Sequence, residues 1–405
     1  MLAVCQALFY VANTVVISTA PLVGLALAPS PMLATLPLGM QFFGSIGATL
    51  PASLFMQRFG RRLGLQVGCG FGAVSAMCGY LAVVQGWFAL FCFAGVLYGV
   101  FSAFCQYVRF AAADAADASC CCGGGGGRSG PAGERQRARA ISWVFAGGAV
   151  AAVAGPELAK ATRDLVPLFL FAGSQLAVMA VTAAMAVVLI ALGLPRPNAP
   201  VSTKARPAAR RLISDPHLRR PFTVALVAYL SMNLLMTATP LAMLGCGLGF
   251  DESATVIQWH IVGMFAPSLA TGSLIARFGP RPIILAGTLL IAACIVASLS
   301  GETTIHFATG LFLLGLGWNL MFVGATTMLT ASHAPEDKAR VQGLHDLFLF
   351  SCVAISASLS GLLEQTIGWK AMNLALLPGL LLVAVMMISA TAPPAKLQVA
   401  SSAGQ

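Results

Sequence analysis

Arg58-Phe59-Gly60-Arg61-Arg62 returns 219 positions later as Arg277-Phe278-Gly279-Pro280-Arg281, and each copy is an island of charge between long apolar stretches. Residues 1–57, 63–108, 165–195 and 221–250 contain no Asp, Glu, Lys or Arg. Over the 405 residues 58% are hydrophobic and 9% charged, against roughly 25% charged in soluble domains. A soluble fold of this size has no way to hide so much apolar surface, so its solvent is lipid. In hydrocarbon every backbone amide must find a partner inside its own segment. The uncharged runs are about 20 residues long rather than alternating segments of about 10, which selects helices and excludes a β-barrel. The chain is expected to be an all-α membrane protein.

Charges, prolines and turn clusters divide it into twelve candidate transmembrane spans: 2–28, 31–56, 63–84, 87–110, 140–160, 166–194, 221–248, 253–276, 281–300, 304–330, 340–363 and 368–390. The least marked boundary is Gln85-Gly86. Segment 195–220 holds Pro195, Pro197, Pro200 and Pro207, then Arg210-Arg211 and Arg219-Arg220. It reads as a cytoplasmic linker between a six-helix N-terminal half (1–194) and a six-helix C-terminal half (221–392), with a tail at 393–405.

Basic loops resist translocation, so Lys and Arg set orientation. With the N-terminus inside, all 23 fall on the cytoplasmic side except Lys160, Arg163 and Lys370, and both termini are expected there. The net charge of +10 is therefore a topology signal, and no nucleic-acid partner is expected. No basic segment precedes the apolar run at Leu2, so no cleavable signal peptide is expected. Most of the eleven cysteines lie inside apolar runs, where they pack as small hydrophobes. Cys120-Cys121-Cys122 and the glycines 123–127 read as a flexible insert without metal-knuckle spacing. No metal or other cofactor is expected.

The halves align without gaps at the second and eighth spans, placing Gln41 on His260, Gly44 on Gly263 and Gly60 on Gly279. Ser18-Thr-Ala-Pro-Leu22 echoes Thr237-Ala-Thr-Pro-Leu241, and one register slip matches Asn13 with Asn233. Duplicated six-span units are the architecture of alternating-access carriers. At this point the chain resembles the major facilitator superfamily, whose second-to-third and eighth-to-ninth loops carry Gly-x-x-x-Asp-Arg-x-Gly-Arg-Arg. The basic and glycine positions match, but the acidic position is Gln57 in one copy and Ala276 in the other. The resemblance implies a conformational latch at Arg58, Gly60, Arg61, Arg62, Arg277, Gly279 and Arg281, without its acidic relay. Gly155-Pro156 is similar to an exporter motif, with Ala159 where that motif has glycine. Tyr107-Val-Arg109 to Asp114, with Arg139 to Trp143, looks like a bacterial branch of small carriers that includes a riboflavin importer. Relative to that branch 115–138 reads as an insertion.

Ionisable and amide side chains inside spans are the candidate site residues. Asn13, Gln41, Asn233, His260, Trp318 and Asn319 are candidates for substrate binding, the amides reading polar edges and Trp318 stacking on an aromatic ligand. Each has a structural alternative in interhelical hydrogen bonding or packing. Asp346, His260 and Glu157 are candidates for proton coupling, against an interhelical hydrogen bond for Asp346, with Arg109 as the candidate partner, and an ion pair with Lys160 or Arg163 for Glu157. Gly68-Cys-Gly70-Phe-Gly72 satisfies a loose dinucleotide fingerprint but lies inside an apolar span, where small residues serve helix contact. No nucleotide-hydrolysis or nucleophile motif occurs, so an enzyme is not expected. The expected function is a monomeric, proton-coupled secondary carrier of a small organic solute, in the cell (inner) membrane if bacterial. The alternatives are a transport-inactive membrane sensor or scaffold, or a drug or metabolite exporter rather than a vitamin-like importer.

Overall fold

A computed structural model describes residues 2–108, 148, 150–191, 216–331 and 338–389. All regular structure among them is helical: α1 Leu2–Leu27, a 3-10 turn Pro31–Leu33, α2 Leu36–Phe59, α3 Arg61–Gln85, α4 Phe88–Cys105, α5 over 150–162, α6 Ala172–Ile190, α7 Pro216–Gly245, α8 in two pieces Phe250–Phe265 and Ser268–Phe278, α9 Pro280–Ser300, α10 Thr304–Ala331, α11 Lys338–Leu374 and α12 Leu377–Ile388. The 115–138 insert, most of the expected linker and the tail lie outside the described residues, as does Arg109.

Nine of these stretches are long and apolar enough to cross a bilayer, ten if the two pieces of α8 count as one span. One of the nine, His345–Ile388, has 44 residues. At about 1.5 Å per residue a straight helix of that length would be twice as long as a hydrocarbon core of about 30 Å. The chain instead breaks helical geometry at Gly368 (φ 75°, ψ 168°), which makes two spans of it. With α5 these give twelve helices in two six-helix halves.

The repeat seen in the sequence is repeated in the backbone. Gly60 (φ 92°, ψ 156°) joins α2 to α3, and Gly279 (φ 82°, ψ 164°) joins α8 to α9, a conformation closed to side chains with a Cβ. In both turns the preceding arginine lies over the preceding phenylalanine, Arg58 on Phe59 at 5.4 Å and Arg277 on Phe278 at 5.2 Å. Gly44 and Gly263 also do one job twice. A Cβ would meet the Val96 carbonyl oxygen at 2.2 Å in the first case and that of Phe312 at 2.7 Å in the second. Bare backbones thus let α2 touch α4 and α8 touch α10. The faint boundary at Gln85-Gly86 is a C-cap, with Gly86 left-handed (φ 70°) and its N–H on the Ala82 carbonyl.

Several expected spans differ from those observed. Residues 163–171 form turns, so α6 starts at Ala172 rather than at 166. Residues 31–35 form a turn before α2, and α7 begins at Pro216, inside the expected linker. The eighth span is not continuous: its pieces bend by 44° beside Pro267. Proline lacks the amide hydrogen that the helix ladder needs there. Pro21, Pro51, Pro221 and Pro240 nevertheless sit inside unbroken helices.

Two apolar cores hold the halves. Phe9, Leu38, Leu65, Phe101, Val178 and Met185 belong to the first, and Leu235, Met243, Ile284, Ile291, Phe307 and Val383 to the second. Large apolar side chains such as Leu168, Leu289, Ile305 and Ile388 point outward. Lipid is the medium in which that exterior costs nothing.

Candidate functional site

The two halves meet mainly at the end away from the Gly60 and Gly279 turns. There Thr35 Oγ1, ahead of α2, donates to the Ser358 carbonyl at 3.3 Å and accepts the Gly361 N–H at 2.9 Å, both on α11. Gly39 lies so close to α11 that a Cβ would fall 2.9 Å from Ser358 Cα. Lys160 at the end of α5 donates to Thr255 on α8 at 2.9 Å, and Arg163 pairs with Asp251 at 3.0 Å while lying over Phe250. Phe171 meets Phe250 edge to face at 5.0 Å. Below this clasp Ala152 packs on Ile257 and Ile261, and Phe265 meets Tyr10 at 5.6 Å. Gly272, Ser273, Leu274 and Ala276 of α8, Leu50 and Leu54 of α2, and Asp346 and Leu347 of α11 are all exposed. Among the described residues, the contacts between the halves thus gather at the end away from the arginine turns.

The amide candidates fall into two groups. Gln41 Nε2 donates to Asn13 Oδ1 at 3.0 Å, which leaves Gln41 Oε1 buried without a partner. His260 is fully buried, and its Nδ1 lies 2.8 Å from the Leu311 carbonyl, which only accepts. The proton therefore sits on Nδ1, leaving Nε2 of the neutral ring as a buried acceptor without a partner. Gln41 and His260 are repeat-equivalent, and each presents one unused acceptor. No hydrogen bond joins them. Unsatisfied buried acceptors cost about 1–3 kcal/mol each, so a pair at matched positions calls for a ligand that brings donors.

Asn319 and Asn233 are spent within the protein. Asn319 Nδ2 donates to the Met264 carbonyl at 2.8 Å and to Ser268 Oγ at 2.6 Å, and its Oδ1 accepts from Thr271 Oγ1 at 2.7 Å. It ties α10 across the break in α8. Asn233 donates to the Val353 carbonyl of α11 at 3.2 Å, so its partner is in a different helix from that of its repeat-mate Asn13. Trp318 is buried with Nε1 unpartnered.

Among the ionisable candidates, Asp346 is about half exposed and its Oδ1 is 3.1 Å from Nδ1 of buried His345. Glu157 pairs with Lys160 at 2.8 Å and so belongs to the closed-end clasp. Beside that clasp Lys370 donates to Glu302 at 2.9 Å, and this hydrogen bond holds the Glu302 carboxyl below its ordinary range. In the first arginine turn, Arg62 donates to the Ile190 carbonyl, capping the C-terminus of α6 where the helix dipole favours a cation.

The sequence did not single out Tyr98, Ser18 and Thr237, whose hydroxyls are buried without partners. Ser18 and Thr237 are the repeat-equivalent residues three before Pro21 and Pro240, a signal present in the quoted echo but read there as duplication alone. Asp251 was also missed, because only the fold carries it to Arg163.

The fold matches solved transporters. The crystal structure of the nucleoside transporter NupG superposes with a TM-score of 0.73 at 8% identity, covering 96% of this chain and 98% of that one. A bacterial homolog of the human lysosomal transporter Spinster, inward-facing and occupied, gives 0.68 at 15% identity over 96% and 94%. Sequence relatives are nearer. The chain is 37% identical over 393 residues to the riboflavin transporter RfnT of Brucella anthropi, covering 96% of this chain and 94% of that one. It is 28% identical to the MFS-type transporter YdeG of Bacillus subtilis over 84% of this chain and 79% of that one. The family model described as Major Facilitator Superfamily matches residues 2–267 and again 221–404, and the chain belongs to that superfamily of membrane transporters.

Proposed function

We propose that the protein carries riboflavin or a close flavin analogue across the membrane, inward and coupled to protons, by rocking its two halves about a site near Gln41, His260 and Trp318. The observation that carries the substrate reading is 37% identity to a riboflavin transporter, sustained over 96% of the chain. The chemistry agrees with it. A flavin offers an imide N–H and a polyhydroxyl side chain as donors, and Gln41 Oε1 and His260 Nε2 are acceptors with no protein partner. Halves clasped at one end are what one of the two states of alternating access requires. Halves bounded near 194 and 221 are the moving bodies. The arginine excess supports a cytoplasmic location for the arginine-turn end and both termini. Asp346, half exposed and 3.1 Å from His345, is the proton-coupling carboxylate.

The test is growth of a bacterial strain unable to make riboflavin. Expression of this protein should restore growth at low external riboflavin, where the empty vector does not. Growth equal to the empty vector, with the protein present in the membrane, would count against the substrate. If a protonophore leaves uptake unchanged, coupling to protons is wrong while the substrate stands.

A further inference from the structure

We propose that Tyr229, Trp318, Phe322 and Phe350 form a stacking subsite for a flat heteroaromatic ring whose edge carries a hydrogen-bond acceptor. The proposal rests on the flavin reading above and deepens it by assigning the place and geometry of ring recognition.

Trp318 and Phe322 stand one turn apart on α10, stacked at 5.2 Å with planes 9° from parallel. Tyr229 of α7 is perpendicular to both, at 5.2 Å from Trp318 and 4.9 Å from Phe322, each at 83°. Phe350 of α11 closes on Tyr229 from 6.0 Å. Three helices thus contribute one aromatic box. Trp318 lies near the middle of Thr304–Ala331 and Tyr229 near the middle of Pro216–Gly245, so the box sits at mid-membrane depth. Tyr229, Phe322 and Phe350 are half-buried rather than sealed in the core.

The Trp318 indole fills more of the box than a phenylalanine would, but its Nε1 is buried with no acceptor, and packing does not account for that. An unpaired buried donor is a cost that a ligand removes. The ring geometry says how. A ligand laid flat on Phe322 lies nearly parallel to the indole, beside it, and offers an edge carbonyl or ring nitrogen in the direction in which an indole N–H donates. Tyr229 then meets the ligand edge-on, a favoured aromatic arrangement. The Asn319 clasp to α8 fixes the rotation of α10 and with it the aim of Trp318.

Quenching of riboflavin fluorescence on titration with the purified protein reads this contact directly, because an indole or phenol in van der Waals contact with a flavin quenches its emission by electron transfer. Trp318→Phe keeps an aromatic ring but loses the N–H and part of the indole's bulk. It should raise the dissociation constant at least several-fold, the worth of one hydrogen bond. Phe322→Leu should weaken both binding and quenching. Trp369→Phe, a buried tryptophan packed on Phe307 in the same half, should change neither. Half-saturation of uptake should follow the dissociation constants while the maximal rate stays within about twofold. Wild-type affinity and quenching in both Trp318→Phe and Phe322→Leu would overturn the box and leave the transport reading intact. No riboflavin binding by the wild-type protein would overturn both.

Discussion

Buried atoms without partners separate the site residues from the scaffold residues at the scale of single side chains. Gln41→Leu removes an unused acceptor and should raise half-saturation for riboflavin several-fold with near-normal abundance. Asn319→Ala removes three bonds that tie α10 to α8, and should instead lower thermal stability. Interhelical hydrogen bonds in membranes average about 0.6 kcal/mol, so the loss is about 2 kcal/mol. A detergent melting curve read beside uptake kinetics distinguishes the two effects. If Asn319→Ala changes affinity at unchanged stability, the clasp assignment is wrong. The sequence could rank these residues only by type. Asn13, Gln41, Asn233 and Asn319 are alike as amides in apolar spans, and which are spent depends on the helices opposite. Tyr229, Phe322 and Phe350 were invisible for a related reason, since aromatic residues are unremarked in a chain that is 58% hydrophobic.

The informative contacts at the scale of helices are those that close one end. Gly39 leaves no room for a methyl group against Ser358 Cα, so Gly39→Ala must push α2 and α11 apart at the closed end. The expected result is a shift toward a form open at that end, read as faster maleimide labelling of a cysteine placed at buried Ala34. Gly44→Ala has an equally tight contact, with Val96, but inside one half. It should reduce folded protein without changing the labelling ratio. Breaking the clasp with Arg163→Ala should act in the direction of Gly39→Ala but weakly, because a partly exposed ion pair contributes about 0–1 kcal/mol. Unchanged labelling in Gly39→Ala would mean that α2 and α11 do not form a gate. Helix existence and order were legible in the sequence because apolar runs of bilayer length have no other fold. The break at Pro267 was not, because Pro21, Pro51, Pro221 and Pro240 are tolerated inside helices. What differs at Pro267 is a neighbour, Asn319, which takes over freed polar groups.

Duplication organises the whole molecule. The Arg-Phe-Gly turns, the glycines at 44 and 263 and the acceptors at 41 and 260 all recur at one spacing, and each recurrence is also a recurrence of backbone or contact. That much followed from the sequence, because identical local chemistry forces identical local structure. The mouth that is shut did not follow from it, since both states of a carrier share one sequence. Saturable flux of labelled riboflavin into liposomes holding the purified protein, driven by an inside-alkaline proton gradient, tests this reading most directly. The expected result is accumulation above equilibrium that collapses with the gradient, is competed by unlabelled riboflavin, and falls to downhill exchange alone in Asp346→Asn. Flux no greater than in protein-free liposomes, with or without the gradient, would contradict it.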